Sequence, residues 1–128
     1  MQNSAKAGSA SAASSAGPAA MLSIIHRAVV EGMPIGDRQE VRVITATLKL
    51  GDRTPRHTHR FPVAVYVIQG TFMVELEGHA PITAKAGEAI IEPPHIKMIG
   101  LNPSATEPTQ LAMVYVSDPD TSFADLAP

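Results

Sequence analysis

Cysteine and tryptophan are absent from the 128 residues, and phenylalanine and tyrosine together number five. Without thiols there is no disulfide framework, no zinc finger, no iron–sulfur cluster and no thiol nucleophile, so any metal chemistry must draw on His, Asp, Glu or Met. Reducing and oxidising compartments suit such a chain equally. An excess of either charge is missing too: ten Lys plus Arg face twelve Asp plus Glu, a formal charge of −2. That balance supplies no positive field for nucleic acid or for an anionic membrane surface. No hydrophobic run nears the ~20 residues of a membrane-spanning helix, because Gly, Pro or a charge interrupts each within about ten residues. Neither nucleic acid nor a membrane is expected as a partner. What is present, 45% apolar and 17% charged residues, is the composition of a globular domain.

Fifteen of the first twenty residues are Ala, Ser or Gly, too poor in branched and aromatic side chains to offset the entropy of ordering them. Residues 1–20 therefore read as a low-complexity tail or tag, and 21–128 as one barrel domain. A secretory signal needs an apolar stretch of about seven or more residues, whereas Ser interrupts every Ala run here. A cytoplasmic protein is expected, with the mature end of a periplasmic one as the alternative.

From Val41 onward, short runs of Val, Ile, Thr and Leu are punctuated by Gly and Pro at the spacing of an antiparallel sandwich or barrel. Strands are predicted near 40–50, 56–59, 63–69, 71–77, 81–85, 88–92, 96–101 and 109–117, with turns at Gly51-Asp52, Gly70, Gly78, Gly87, Pro93-Pro94 and Asn102-Pro103. The fold class is all-β. Residues 63–68 are apolar at every position, which predicts a strand covered on both faces, with Tyr66 packed between layers. Residues 21–31 are the only candidate short helix, and Gly32 and Pro34 follow at once, so no DNA-reading helix-turn-helix fits before the barrel. A domain of roughly 108 residues buries about 60–65% of its unfolded surface. That slim margin predicts a homodimer in which Leu22, Ile24 and Ile25 add an edge strand to the partner.

The densest polar cluster runs from Gly51 to Arg60. In an extended strand, residues two apart share a face, so His57 and His59 aim both imidazoles at one place, at a spacing that a single ion bridges. Exposure of both rings in a basic loop is the alternative. His26, His79, Arg53, Arg56, Arg60 and Lys97 read as solvated, and Glu92 reads as a rim carboxylate beside Pro93.

The segment Gly51–Gly70 resembles the first motif of the cupin superfamily: Gly, five residues, His-x-His, three or four residues, Glu, six residues, Gly. Gly51, His57, His59 and Gly70 occupy their places, with Val63 where Glu belongs. The second motif is met by Gly87, Pro93 and Asn102, with His95 where Gly belongs and Met98 where the third His belongs. The resemblance spans about Val41 to Ser117. It implies a double-stranded β-helix, or jelly-roll, barrel that holds a divalent transition metal (iron, copper, nickel, zinc or manganese) with three His and one Glu.

Here His57 and His59 stand, and either His95 or Met98 completes the set, since three residues apart on an extended chain they face opposite sides. A His/His/Met set suits copper(I) better than Mg, Ca or Mn, because the thioether is soft. Without either residue, the barrel is metal-free. Val63, Val65 and Val67 are expected to line the pocket, giving a small, mostly apolar ligand with one anionic handle. The resulting expectation is dioxygenase-like or isomerase-like action on a small anionic or enolisable molecule, with no individual residue assigned as catalytic. The competing expectation is a binding or sensing module without metal.

Overall fold

The segment 109–117 shows why this chain folds as sheet: Thr109, Leu111, Met113, Tyr115 and Ser117 are buried, while Gln110 and Val114 between them are exposed. That two-residue period lays one face of a strand on a core. The computed structural model describes residues 20–128, with nine strands: β1 (Glu40–Leu48), β2 (His57–Thr58), β3 (Val63–Gln69), β4 (Thr71–Leu76), β5 (Ile82–Lys85), β6 (Ala89–Glu92), β7 (Met98–Leu101), β8 (Thr109–Ser117) and β9 (Asp125–Leu126). Two antiparallel sheets result, one ordered β1-β8-β3-β6 and the other β5-β4-β7-β2-β9. Their inner faces meet in a core that includes Val63, Val65, Val67, Val74, Met98 and Tyr115.

The all-β prediction holds, and each expected strand is present. The tail expected over 1–20 lies, up to residue 19, outside the described residues. Three details differ. Residues 21–31 are irregular rather than helical, as suits a segment cut short by Gly32 and Pro34. The C-terminal pair Asp125–Leu126 forms a strand against β2 that its two residues gave no pattern to predict. The third is β3, which is covered on one face only: Val63, Val65 and Val67 are fully buried, but Tyr66 and Ile68 reach solvent. Tyr66 therefore does not pack between layers. Among the described residues, no helix is long and apolar enough to cross a membrane.

Asn102 pins the loops at one end of the barrel. Its side chain is buried, and its amide nitrogen lies 2.8 Å from the Glu107 carbonyl and 3.2 Å from those of Leu48 and Lys49. Its Oδ1 accepts from the Ser104 N–H at 2.9 Å. A buried amide is tolerated only when satisfied in this way.

The strand register positions the site. Arg42 of β1 pairs with Tyr115 of β8, Tyr115 with Val63 of β3, and Val63 with Glu92 of β6. Directly opposed residues of an antiparallel sheet project to the same side. One row across the inner face thus reads guanidinium, phenol, isopropyl, carboxylate.

Candidate functional site

His57 opens β2, a two-residue strand held between β7 and β9. Its Nδ1 lies 2.7 Å from the Pro55 carbonyl. A carbonyl oxygen only accepts, so Nδ1 donates in this contact. His59, two residues on, is almost fully buried. Its Nδ1 donates to the Phe123 carbonyl at 2.6 Å, and its Nε2 lies 3.3 Å from Glu92 Oε1. The two imidazoles meet edge to face with ring centroids 4.8 Å apart.

Glu92 belongs to this centre rather than to the rim. It is only 5% exposed, because in β6 it shares parity with buried Ile90. That parity was the available signal, masked by the adjacent Pro93-Pro94 turn. Tyr115 is fully buried, with its ring centroid 6.0 Å from that of His59 and 5.2 Å from that of Phe123. The sequence reading missed Tyr115 and Arg42, although alternation along β8 places Tyr115 with Leu111 and Met113.

Val63, Val65 and Val67 all face inward, where they fill the core instead of leaving an open pocket. Met98 is buried and sits directly across from His57 in the β2–β7 register. His95 is elsewhere: its side chain is exposed and borders a surface depression with Val30, Glu31, Pro62 and Ile91. Its backbone N–H donates to the His59 carbonyl at 2.8 Å. The structure therefore sets Met98 opposite His57 in the register and Glu92 against His59, and leaves His95 apart from both.

His95 adopts a left-handed φ of 67°, the conformation that the resemblance provides for with glycine. Such a conformation costs an ordinary residue about 1–2 kcal/mol. His95→Gly is expected to raise unfolding stability by about 0.5–1 kcal/mol once the larger unfolded-state entropy of glycine is subtracted. Urea denaturation measures it, and a loss of stability would show that the imidazole itself contributes.

The segment after β8 closes the mouth beside the imidazoles. Arg42 Nη2 donates to the Thr121 carbonyl at 2.7 Å, the Phe123 ring lies tilted against His59 with centroids 4.8 Å apart, and the Ala127 N–H reaches the Arg56 carbonyl at 3.0 Å. An exposed ion pair, Arg60 to Asp125 at 3.2 Å, adds little. Between this strap and the loop before β2 lies a depression of about 180 Å³, lined by Thr54, Pro55, His57, Phe123, Ala124 and Leu126. It is smaller than the roughly 300–1,000 Å³ of ordinary ligand pockets, which limits it to a small molecule.

The donors present test whether the implied metal fits. Among the described residues, no three of His, Asp and Glu come together as an ion site. Val63 offers no donor, and Glu92 is engaged with His59. A hard divalent ion is thus poorly served.

Residues 44–115 match the family described as "Cupin domain". An RmlC-like cupin from Methanocaldococcus jannaschii with a double-stranded β-helix fold is 21% identical, with a TM-score of 0.56 over 76% of this chain and 95% of that one. A double-stranded β-helix protein from Klebsiella pneumoniae is 21% identical, with a TM-score of 0.57 over 79% and 90%. The DMSP lyase DddQ from Ruegeria pomeroyi is 17% identical, with a TM-score of 0.56 over 79% of this chain and 59% of the lyase. These likenesses are of fold. No curated protein matches this chain.

Proposed function

The chain belongs to the cupin domain family, and we propose that its barrel binds a small enolisable organic acid and moves a proton on it through the buried His59–Glu92 pair. The observation that carries this reading is the 3.3 Å contact between His59 Nε2 and Glu92 Oε1, both side chains being buried. General acid–base work needs two proton-exchanging groups held in hydrogen-bond reach and shielded from water. With the His59 Nδ1–H donated to the Phe123 carbonyl, only Nε2 exchanges a proton with the carboxylate. Glu92, the carboxylate that accepts from His59 Nε2–H, removes a proton from the carbon beside the substrate's carbonyl, and Nε2 gives its own proton to the carbonyl oxygen, leaving a glutamic acid beside neutral imidazole and an enol in the barrel. Return of the proton to a neighbouring atom completes an isomerisation. His57, half-buried at the mouth depression, meets the ligand on its way in, and the Phe123 strap must shift to admit it.

No step runs through a metal. The donor set that remains for one, His57 and His59 with the Met98 thioether, suits a soft ion such as copper(I), which would act as a Lewis acid there.

Solvent-deuterium exchange tests the proposal. Small keto and hydroxy acids are incubated in D₂O with protein freed of metals by a chelator, and loss of the C–H signal is followed by NMR. Exchange is expected for at least one acid, and Glu92→Gln should slow it by about 10²–10⁴-fold. Exchange by no acid, or an equal rate in Glu92→Gln, rejects the mechanism. Binding without exchange leaves the chain a ligand-binding module.

A further inference from the structure

Two buried side-chain polar atoms among the described residues have no hydrogen-bond partner: Arg42 Nε and Tyr115 OH. They come from neighbouring residues. Arg42 and Tyr115 are directly opposed in the β1–β8 register, and the guanidinium carbon lies 5.1 Å from the centroid of the phenol ring. Buried polar groups are nearly always satisfied, so two adjacent orphans point to a missing acceptor.

The surroundings define what that acceptor is. The guanidinium Nη2 donates to Ser117 Oγ at 3.0 Å and to the Thr121 carbonyl at 2.7 Å, while Nε stands 3.6 Å from Glu40 Oε2, beyond hydrogen-bond reach. The rings of His59, Phe61 and Phe123 also lie near the phenol ring. An N–H of a permanent cation and a phenolic O–H, both unpartnered in a mostly aromatic corner, match an oxygen anion.

We infer that Arg42 and Tyr115 form the subsite that anchors the carboxylate of the ligand. This deepens the reading above and rests on it for the reacting end. The register then sets the ligand's length. Glu92 lies two strands from Tyr115, about 10 Å at backbone level, with Val63 between them. Val63 is fully buried, so the packing over it must open before a short-chain monocarboxylate held at Tyr115 brings a carbon a few bonds from its carboxylate to Glu92. Val63 also acquires a reason: a glutamate there would set a second negative charge beside the bound anion, whereas valine gives an apolar floor. Nη2 keeps its bonds to Ser117 and the Thr121 carbonyl, so the anion takes the free Nε.

The test uses the full chain and the probes propionate and benzoate, with propionamide and benzamide as uncharged counterparts. Both acids are expected to raise the melting temperature in a concentration-dependent way and the amides not to, since a ligand that binds only the native state stabilises it. Tyr115→Phe should weaken acid binding about tenfold by calorimetry, the loss of one hydrogen bond to a charged group. It should not lower the melting temperature of the free protein, because the hydroxyl it removes has no partner to lose. Arg42→Gln should weaken binding further. If that variant fails to fold, Tyr115→Phe decides alone. Acid binding that needs Arg42 and Tyr115, together with no deuterium exchange into any of the keto and hydroxy acids, keeps this subsite and rejects the proton-transfer reading. Equal effects of acids and amides, or undiminished binding by Tyr115→Phe, overturns the subsite.

Discussion

Gly70→Ala is expected to lower unfolding stability by about 4 kcal/mol or more, enough to leave a domain of ordinary stability largely unfolded. Gly70 joins β3 to β4 at a φ of +81°, and a Cβ there would stand 2.3 Å from the Pro108 carbonyl oxygen and 3.1 Å from Thr109 Cα. Both are backbone atoms, so no side chain can swing away to make room. The junction is tied further by the Thr109 hydroxyl, which donates to the Thr71 carbonyl, and by the Ala86 N–H, which donates to the Gly70 carbonyl at 3.0 Å. Relief therefore requires parting the β3–β4 turn from the start of β8. Gly78 is the control: its φ is +80°, yet nothing lies within 4 Å of a Cβ there. Gly78→Ala should cost only the left-handed conformation, about 1–2 kcal/mol. Equal losses for the two variants in urea denaturation would contradict the close-approach argument.

Glu92→Leu is expected to cost about 3 kcal/mol, and Glu92→Gln about 1 kcal/mol. Leucine leaves His59 Nε2 buried with nothing to face it, in a place where water does not reach the nitrogen to compensate. Glutamine still offers an amide to the imidazole and loses only the carboxylate's stronger interaction. The ordering separates a paired Glu92 from one that merely fills space, since packing alone would make leucine the milder change. Chemical denaturation of the two variants side by side measures the difference. Because Glu92→Gln retains most of the stability, its loss of proton exchange would be a chemical effect rather than an unfolding one.

The two imidazoles illustrate how far local pattern reaches. His-x-His spacing on an extended segment placed both rings together, and the structure brings them to 4.8 Å. The same local reasoning failed for Glu92, because two prolines after it suggested a rim, while the β3–β6 register turns it inward beside His59. His95 shows the opposite case: a histidine at a glycine position pointed to a rebuilt ligand set, but the left-handed turn directs its ring to the surface. Arg42 lies 73 residues from Tyr115, and no sequence window contains both.

Strand positions, turns and the all-β barrel followed from the sequence by itself, because a two-residue hydrophobic period and Gly/Pro punctuation act between near neighbours. Which side chains share the interior was decided only by the tertiary structure. Cross-strand register sets the row from Arg42 to Glu92, and the C-terminal strap sets what covers His59; both depend on contacts between segments far apart in the chain, whose pairing local periodicity does not encode.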